Sequence, residues 1–458
     1  MDPPTIVSLS ELDQLMPRLY IRWLLCIPLF PDSPATTQIV EVLTRGISKL
    51  LETHPILRGT LVAQSTDPSR LEVHLPSDNQ GFQLQTRYYD SEDNETFPLY
   101  TSLLKRRFPA SELPDNLLNP VDDPTKVFGC VANFIRGGVL LCLRIHHAVV
   151  DGGGMKLIVN KLAQACANPN SVLAAGEDLL TDRTLLPTGT ATFQGKGLGF
   201  EATSVIKVIK DQKVDHAAMI CHTFKFSATA LDNLKHLCFT GSTTITTHDA
   251  LTAILYGTVT YARSLRLSQS ITENASLKST IGIAVDGRSR LPTPLPAYTG
   301  NVTLYATFTT TIHLPSSYIP LATYRSMELL SQALKLPSFA ALVHSSIAAV
   351  DAEFIQSTIG LASSHSDISR LKPSFSDFNQ GLDFFITSGA NNDVFETEWW
   401  PGGKVDALRI PYKGPWDGTC AVQARRDKVE GLEVLLGLRE DDMKVVKEIL
   451  ESFGIMVM

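Results

Sequence analysis

Apolar residues recur at helical spacing between positions 38 and 53. Ile39, Val40, Leu43, Ile47, Leu50 and Leu51 fall on one face, and His54-Pro55 closes the segment. Residues 57–62 and 71–75 then read as two strands of a meander. Residues 128–135 and 139–145 are near-continuous apolar runs joined by Arg136-Gly137-Gly138, the pattern of a buried hairpin. Residues 155–167 return to the helical period. In the second half, a strand is expected over 222–226. A helix capped by Thr247 runs toward Tyr261, and a strand covers 281–285. Helices are expected over 324–334 and 339–353, and a strand over 432–438. The last helix, 441–453, carries Met443, Val446, Ile449, Leu450 and Phe453 on one face.

Pro, Gly, Thr and Ser accumulate between 169 and 215, including Gly195-Lys196-Gly197-Leu198-Gly199. The cluster lacks the glycine spacing and the preceding strand of a dinucleotide fingerprint, so it reads as a crossover. Two halves follow, each mixing helices with a sheet: an α/β (α+β) chain divided into 1–185, a linker 186–215, and 216–458. A length of 458 residues agrees with two cores.

Composition narrows the partners. A net charge of −7 argues against nucleic acid or an anionic membrane surface. The apolar run 23–29 is too short to span a bilayer, and no signal peptide or lipidation motif is evident. Seven scattered cysteines without a C-x-x-C pair read as core residues in a reducing compartment. A cytosolic location is the expectation, and the Asn94, Asn274 and Asn301 sequons then carry no glycan; these features give no oligomeric signal.

The candidate chemistry sits at His146-His147-Ala148-Val149-Val150-Asp151-Gly152. A strand ending in a histidine and an Asp-Gly turn brings an imidazole to the rim of a sheet, where it can take a proton near neutral pH. Asp151 would fix the turn, and Gly152 would supply a positive φ. The same spacing also suits a buried histidine satisfied by a carbonyl. Adjacent histidines on a strand face opposite ways, so the pair does not suggest a metal site. No H-E-x-x-H, P-loop or G-x-S-x-G motif is present.

His147, Asp151 and Gly152 match the HxxxDG motif of the BAHD acyltransferases. Three further segments resemble the fungal branch of that family, in the manner of trichothecene 3-O-acetyltransferases. They are Leu9-Ser10-Glu11-Leu12-Asp13 with the residues to Arg22, Leu50 to Gly59, and Val285-Asp286-Gly287-Arg288-Ser289-Arg290-Leu291 with Tyr298-Thr299-Gly300-Asn301. The resemblance covers essentially the whole chain. It implies two chloramphenicol-acetyltransferase-like domains, with mixed β-sheets flanked by helices and a tunnel between them. His147 would be the general base, and Asp151 would pair with an arginine. Arg288 is the candidate, with Arg290 in reserve.

Two segments depart from the family pattern. Its DFGWG segment, on the coenzyme A side, corresponds here to Glu398-Trp399-Trp400-Pro401-Gly402. Trp400 in place of glycine either fills space or narrows the donor mouth. The family's Thr/Ser-Ser-Trp beside the acceptor corresponds to Thr387-Ser388-Gly389.

The first functional reading is acyl transfer, acetyl by default, from acyl-coenzyme A to a hydroxyl of a small specialised metabolite. No bound cofactor or metal is expected. A second reading keeps the fold with a carrier-bound or polyketide thioester. A third is a His-base cyclase, isomerase or binding protein.

Overall fold

The computed structural model describes residues 5–77, 82–120, 123–168, 179–190, 198–202, 218–241, 244–269, 275–315, 324, 326–378, 381–411 and 417–458. The chain runs β1 (Ile6–Ser8), α1 (Glu11–Leu15), β2 (Tyr20–Pro28), α2 (Thr36–Thr53), β3 (Thr60–Ala63), β4 (Leu71–His74) and β5 (Gln85–Tyr89). Next come α3 (Tyr100–Lys105), α4 (Asp115–Leu118), β6 (Phe128–Ile135), β7 (Gly138–His146) and α5 (Gly152–Ala167). β8 (Phe200–Ala202) precedes β9 (Met219–Phe226), α6 (Ala228–Cys238), α7 (Thr247–Ser268), β10 (Ser276–Asp286) and β11 (Thr303–His313). Then follow α8 (Met327–Ala333), α9 (Leu336–Ala348), α10 (Ala352–Ser364), β12 (Leu371–Pro373), β13 (Phe384–Ser388), β14 (Ala407–Arg409) and β15 (Thr419–Val422). β16 (Leu432–Arg439), α11 (Glu440–Ser452) and β17 (Met456–Val457) end the chain.

Two large mixed sheets organise these elements. The first has the order β14-β2-β7-β6-β5, the second β11-β10-β13-β15-β16-β9-β17. Every residue of β6 and β7 is buried, so both strands read as continuous apolar runs instead of alternating. One face of the first sheet packs against the apolar stripes of α2 and α5. The other carries a smaller core that includes Tyr100, Leu103, Phe108, Leu113 and Leu118. In the second sheet β10, β13 and β15 run parallel, while β11, β16, β9 and β17 pair antiparallel. α7, α9 and α11 add their apolar faces to its core.

The apolar run at 23–29 is part of the central strand β2, whose Tyr20 lies opposite His146 of β7. Beyond β2 lies β14, contributed from late in the chain, with Ala407 opposite Cys26. The chain around it follows, so Val394, Phe395, Trp399, Trp400, Val405 and Leu408 join the core that α2 and α5 cover.

Several element bounds differ from the sequence expectation, each for a local reason. The strand expected at 57–62 begins at Thr60, because Pro55–Arg58 forms a 3-10 turn. The cap of α7 is Thr246, not Thr247. Its Oγ1 accepts from the Asp249 N–H, and the Asp249 carboxylate accepts from the Thr246 N–H. The helix expected over 339–353 is two helices bent by 74°. Asp351 caps the second by accepting from the Phe354 N–H at 2.9 Å. β11 was not foreseen; its eleven residues pair with all of β10. Much of the expected crossover, at 169–178, 191–197 and 203–217, lies outside the described residues, as do Gly195 to Gly197. The part that is described includes β8, paired antiparallel with β12. All seven cysteines are free thiols, six of them buried. Among the described residues no single helix is long and apolar enough to cross a membrane.

Helices α2 and α5 meet closely at Gly46, where an added Cβ would collide with the Cys166 sulfur. Gly46→Val should therefore destabilise the protein by roughly 1–3 kcal/mol through overpacking. Chemical denaturation of the variant checks this, and Gly46→Val with Cys166→Ala should recover part of the loss.

Candidate active site

The site begins where β7 ends. His146, the last strand residue, turns its ring edge-on to Tyr20 with centroids 5.2 Å apart. Its Nδ1 accepts from the Ala148 N–H at 3.2 Å. Burial, with the neighbouring His147 and Arg18 charges, lowers its proton affinity to a pKa of about 4. The backbone then turns: the His146 carbonyl accepts from Val149 N–H at 2.9 Å, and His147 N–H donates to the Leu19 carbonyl at 2.8 Å. His147 is thereby anchored to the residue preceding β2.

Asp151 ends the turn and caps α5, accepting from the Gly154 N–H at 2.8 Å. The helix thus starts three residues before the expected Met155. Gly152 is its first residue, and its φ is not positive, contrary to the sequence expectation. Nothing lies within 4 Å of where a Gly152 side chain would begin. The close approaches are at its neighbours. A Cβ on Gly153 would meet Arg288 Nη1 at 2.5 Å, and one on Gly154 would strike the Thr299 carbonyl.

Asp151 is fully buried and paired with Arg288. Nη2 to Oδ1 is 2.6 Å and Nη1 to Oδ2 is 3.1 Å, a two-pronged contact. The Val302 N–H at 2.8 Å and the Thr303 hydroxyl at 3.1 Å also donate to Oδ2. Burial alone would raise the carboxyl pKa; Arg288 and these hydrogen bonds outweigh it and hold it below the usual range. The rest of the guanidinium donates to the Tyr298 and Gly300 carbonyls and to Asp286. Arg290, the reserve candidate, is occupied elsewhere, donating to the Ile347 and Val350 carbonyls.

A second buried network lies beside the first and was not foreseen. Asp13 is fully buried. It pairs with Arg183 Nε at 3.0 Å and accepts from the Asn301 backbone and side-chain N–H groups at 3.0 and 2.7 Å. Asn301 Nδ2 also donates to the His147 carbonyl at 2.9 Å, and Arg183 Nη2 to the Val149 carbonyl at 2.7 Å. The only local signal was the Ser10-x-x-Asp13 capping box of α1. It accounts for Asp13 as a cap, not as a hub.

Between these networks, desolvation lowers the His147 proton affinity, while Asp151, Asn301 and Asp13 act against the shift. The ring is therefore neutral at pH 7. Its Nδ1 and the Asn301 Oδ1 are both buried without a hydrogen-bond partner among the described residues. The group can accept a proton, and the turn beneath it is held at two carbonyls.

Thr387 and Ser388 are exposed at the end of β13. Because Ile283 of β10 lies opposite Ile386, they reach the same sheet edge as the segment carrying Arg288. Gly389 donates to the Val422 carbonyl, and a Cβ there would meet that oxygen at an ordinary 3.4 Å. The loop at 398–402 behaves differently. Glu398 is exposed, 3.9 Å from Lys404, and Gly402 turns with φ +78°. Trp399 and Trp400 are 0% and 2% exposed and belong to the core under the first sheet. Trp400 thus fills space in that core.

Residues 3–453 match the Transferase family. The chain belongs to that family, the BAHD acyltransferases. It is 27% identical to the eremophilane O-acetyltransferase prx11 of Penicillium rubens, over 95% of each chain. It is 27% identical to a trichothecene 3-O-acetyltransferase of Saccharomyces cerevisiae over 63% of this chain and 65% of the relative. The fold matches F. graminearum TRI101 complexed with coenzyme A and T-2 mycotoxin, with a TM-score of 0.79 at 19% identity over 99% of both chains. This BAHD chain therefore has the two-domain fold of those enzymes.

Removing either partner of the Asp151–Arg288 pair strands a buried charge. Asp151→Ala and Arg288→Met should each lose roughly 3–5 kcal/mol, with the double variant less than additive. Equilibrium unfolding checks this; small, additive losses would contradict the coupling. Trp400→Gly should lower stability by roughly 3–5 kcal/mol, as large core truncations do. Its effect on donor affinity should be small beside that loss, which thermal unfolding and donor titration separate.

Proposed function

We propose that the protein transfers an acyl group, acetyl by default, from acyl-coenzyme A to a hydroxyl of a small specialised metabolite. His147 is the general base. The observation that carries this reading is a neutral imidazole on a turn fixed by two buried charge networks, in a fold shared with coenzyme A complexes. The names of the fungal relatives support the reaction class and the kind of acceptor.

His147 takes the proton of the acceptor hydroxyl as its oxygen bonds to the thioester carbonyl carbon. The carbonyl pair moves onto oxygen, giving a tetrahedral oxyanion. Collapse re-forms the carbonyl and breaks the carbon–sulfur bond. The proton held by His147 goes to the departing thiolate, so ester and free thiol leave and the base is regenerated. Asp151 and Arg288 touch neither substrate; they position the turn. Thr387, Ser388 and Gly389 form the acceptor side. Residues 1–185 and 216–458 supply most of the two halves, except that 394–409 cross into the first sheet and its core and Leu12, Leu15 and Met16 into the second core; the substrates meet between the halves, in a cytoplasmic monomer. The carrier-bound donor was suggested by the altered loop, and the core position of Trp399 and Trp400 removes that motive.

His147→Ala should lower kcat by roughly 10²–10⁴-fold with donor affinity nearly unchanged, while His146→Ala costs far less. Thiol release from acetyl-coenzyme A with a hydroxylated sesquiterpenoid panel measures both. The base works in its neutral form, and burial lowers its pKa. Activity should therefore persist as pH falls to about 6.5, the usual histidine value, and be lost only below it. An acidic limb centred above 7 would contradict the assignment.

A further inference from the structure

Asn301 is fully buried, and the two charge networks meet at it. Its backbone N–H and its side-chain Nδ2 both donate to Asp13 Oδ1, at 3.0 and 2.7 Å. The residue before it, Gly300, receives Arg288 Nη2 on its carbonyl. The residue after it, Val302, donates its N–H to Asp151 Oδ2. The second hydrogen of Nδ2 goes to the His147 carbonyl at 2.9 Å. These bonds leave the amide one orientation. Turned over, Oδ1 would face a carboxylate and a carbonyl, acceptor against acceptor. As placed, Oδ1 is buried without a donor among the described residues, against the residue whose ring Nδ1 is buried without a partner.

The ring has a buried side and an open one. Every residue from Gly138 to Asp151 is buried except His147, which is partly exposed. With Nδ1 on the buried side, Nε2 is the nitrogen left for substrate. A neutral imidazole carries one N–H, so the base must be the other nitrogen. A histidine without partners favours the proton on Nε2, the tautomer in which Nε2 cannot act as base.

A bond from Nδ1–H to Asn301 Oδ1 reverses that preference and satisfies two buried atoms together. It persists when the ring is protonated, in line with the way the Asn301 side chain supports the proton affinity that burial lowers. The other acceptor beside the ring is the carbonyl of His147 itself, which already receives Asn301 Nδ2.

We propose that Asn301 is a positioning residue that sets the tautomer of His147: its Oδ1 accepts from Nδ1–H, and the Nε2 lone pair is thereby presented to the acceptor hydroxyl. The consequence for catalysis rests on His147 being the base; the tautomer does not, and it is measured without turnover. Nitrogen-15 NMR of protein labelled at its eleven histidines reads it, and the signals that vanish in His147→Ala identify the ring. Wild type at pH 7 should show a protonated Nδ1 and a bare Nε2. In Asn301→Ala the proton should sit on Nε2 in most molecules. Its kcat should fall about tenfold, the scale of one hydrogen bond, with KM for donor and acceptor within about twofold. Asp13→Asn enters the same hub but leaves Oδ1 in place, so it should keep the wild-type tautomer while losing stability. A wild-type ring protonated on Nε2 would overturn the proposal, whether or not the variants fold. An Asn301→Ala ring that keeps Nδ1–H would overturn it too, because the ring's own carbonyl would then suffice. The same change of tautomer in Asp13→Asn would assign the effect to the hub and not to Oδ1. The expected tautomers without any thiol release from acetyl-coenzyme A would count against the proposed reaction and leave the role of Asn301 standing.

Discussion

The bond between Asp151 and Arg288 is the constraint on which the site depends. It ties the first turn of α5, behind the first sheet, to the segment leaving β10 in the second. Both charges are removed from water, a cost that only a complete set of partners offsets. Asp151 meets a guanidinium, two backbone N–H groups and a hydroxyl; Arg288 meets two carboxylates and two carbonyls. A set so specific has one geometry, and the turn between His146 and Asp151 inherits it.

The Asp13–Arg183–Asn301 network does the same from the other side. It holds the carbonyls of His147 and Val149, so the turn is gripped by its backbone and not by the imidazole. That division matters chemically. A ring salt-bridged to a carboxylate would gain proton affinity; this ring is desolvated instead and stays neutral. His146, one residue earlier, is lowered as well but is turned into the contact with Tyr20.

The sequence made some of this legible and hid the rest, for physical reasons. Periodicity revealed α2, α5 and the β6–β7 hairpin, because each buries a regular face within one segment. His147, Asp151 and Arg288 were readable through motif resemblance, and Arg288 does meet Asp151. β2 was seen only as an apolar run, since a strand buried on both faces loses its alternation. β14 was hidden, and the core into which the two tryptophans pack was not readable, because their partners lie far earlier in the chain, on β2 and in the core under α2 and α5. The Asp13 hub draws on three distant segments, which no local spacing announces. Gly152 was misjudged because a glycine after a turn suggests a positive φ, whereas here it opens a helix.

The central claim is that the fixed imidazole is where donor and acceptor meet. A crystal structure of the protein with coenzyme A and a hydroxylated acceptor tests it most directly. The account predicts the thiol and the acceptor hydroxyl on either side of the His147 ring, with the Asp151–Arg288 pair unbroken. A thiol seated away from His147, or a catalytic turn released from Arg288 when both ligands bind, would contradict it.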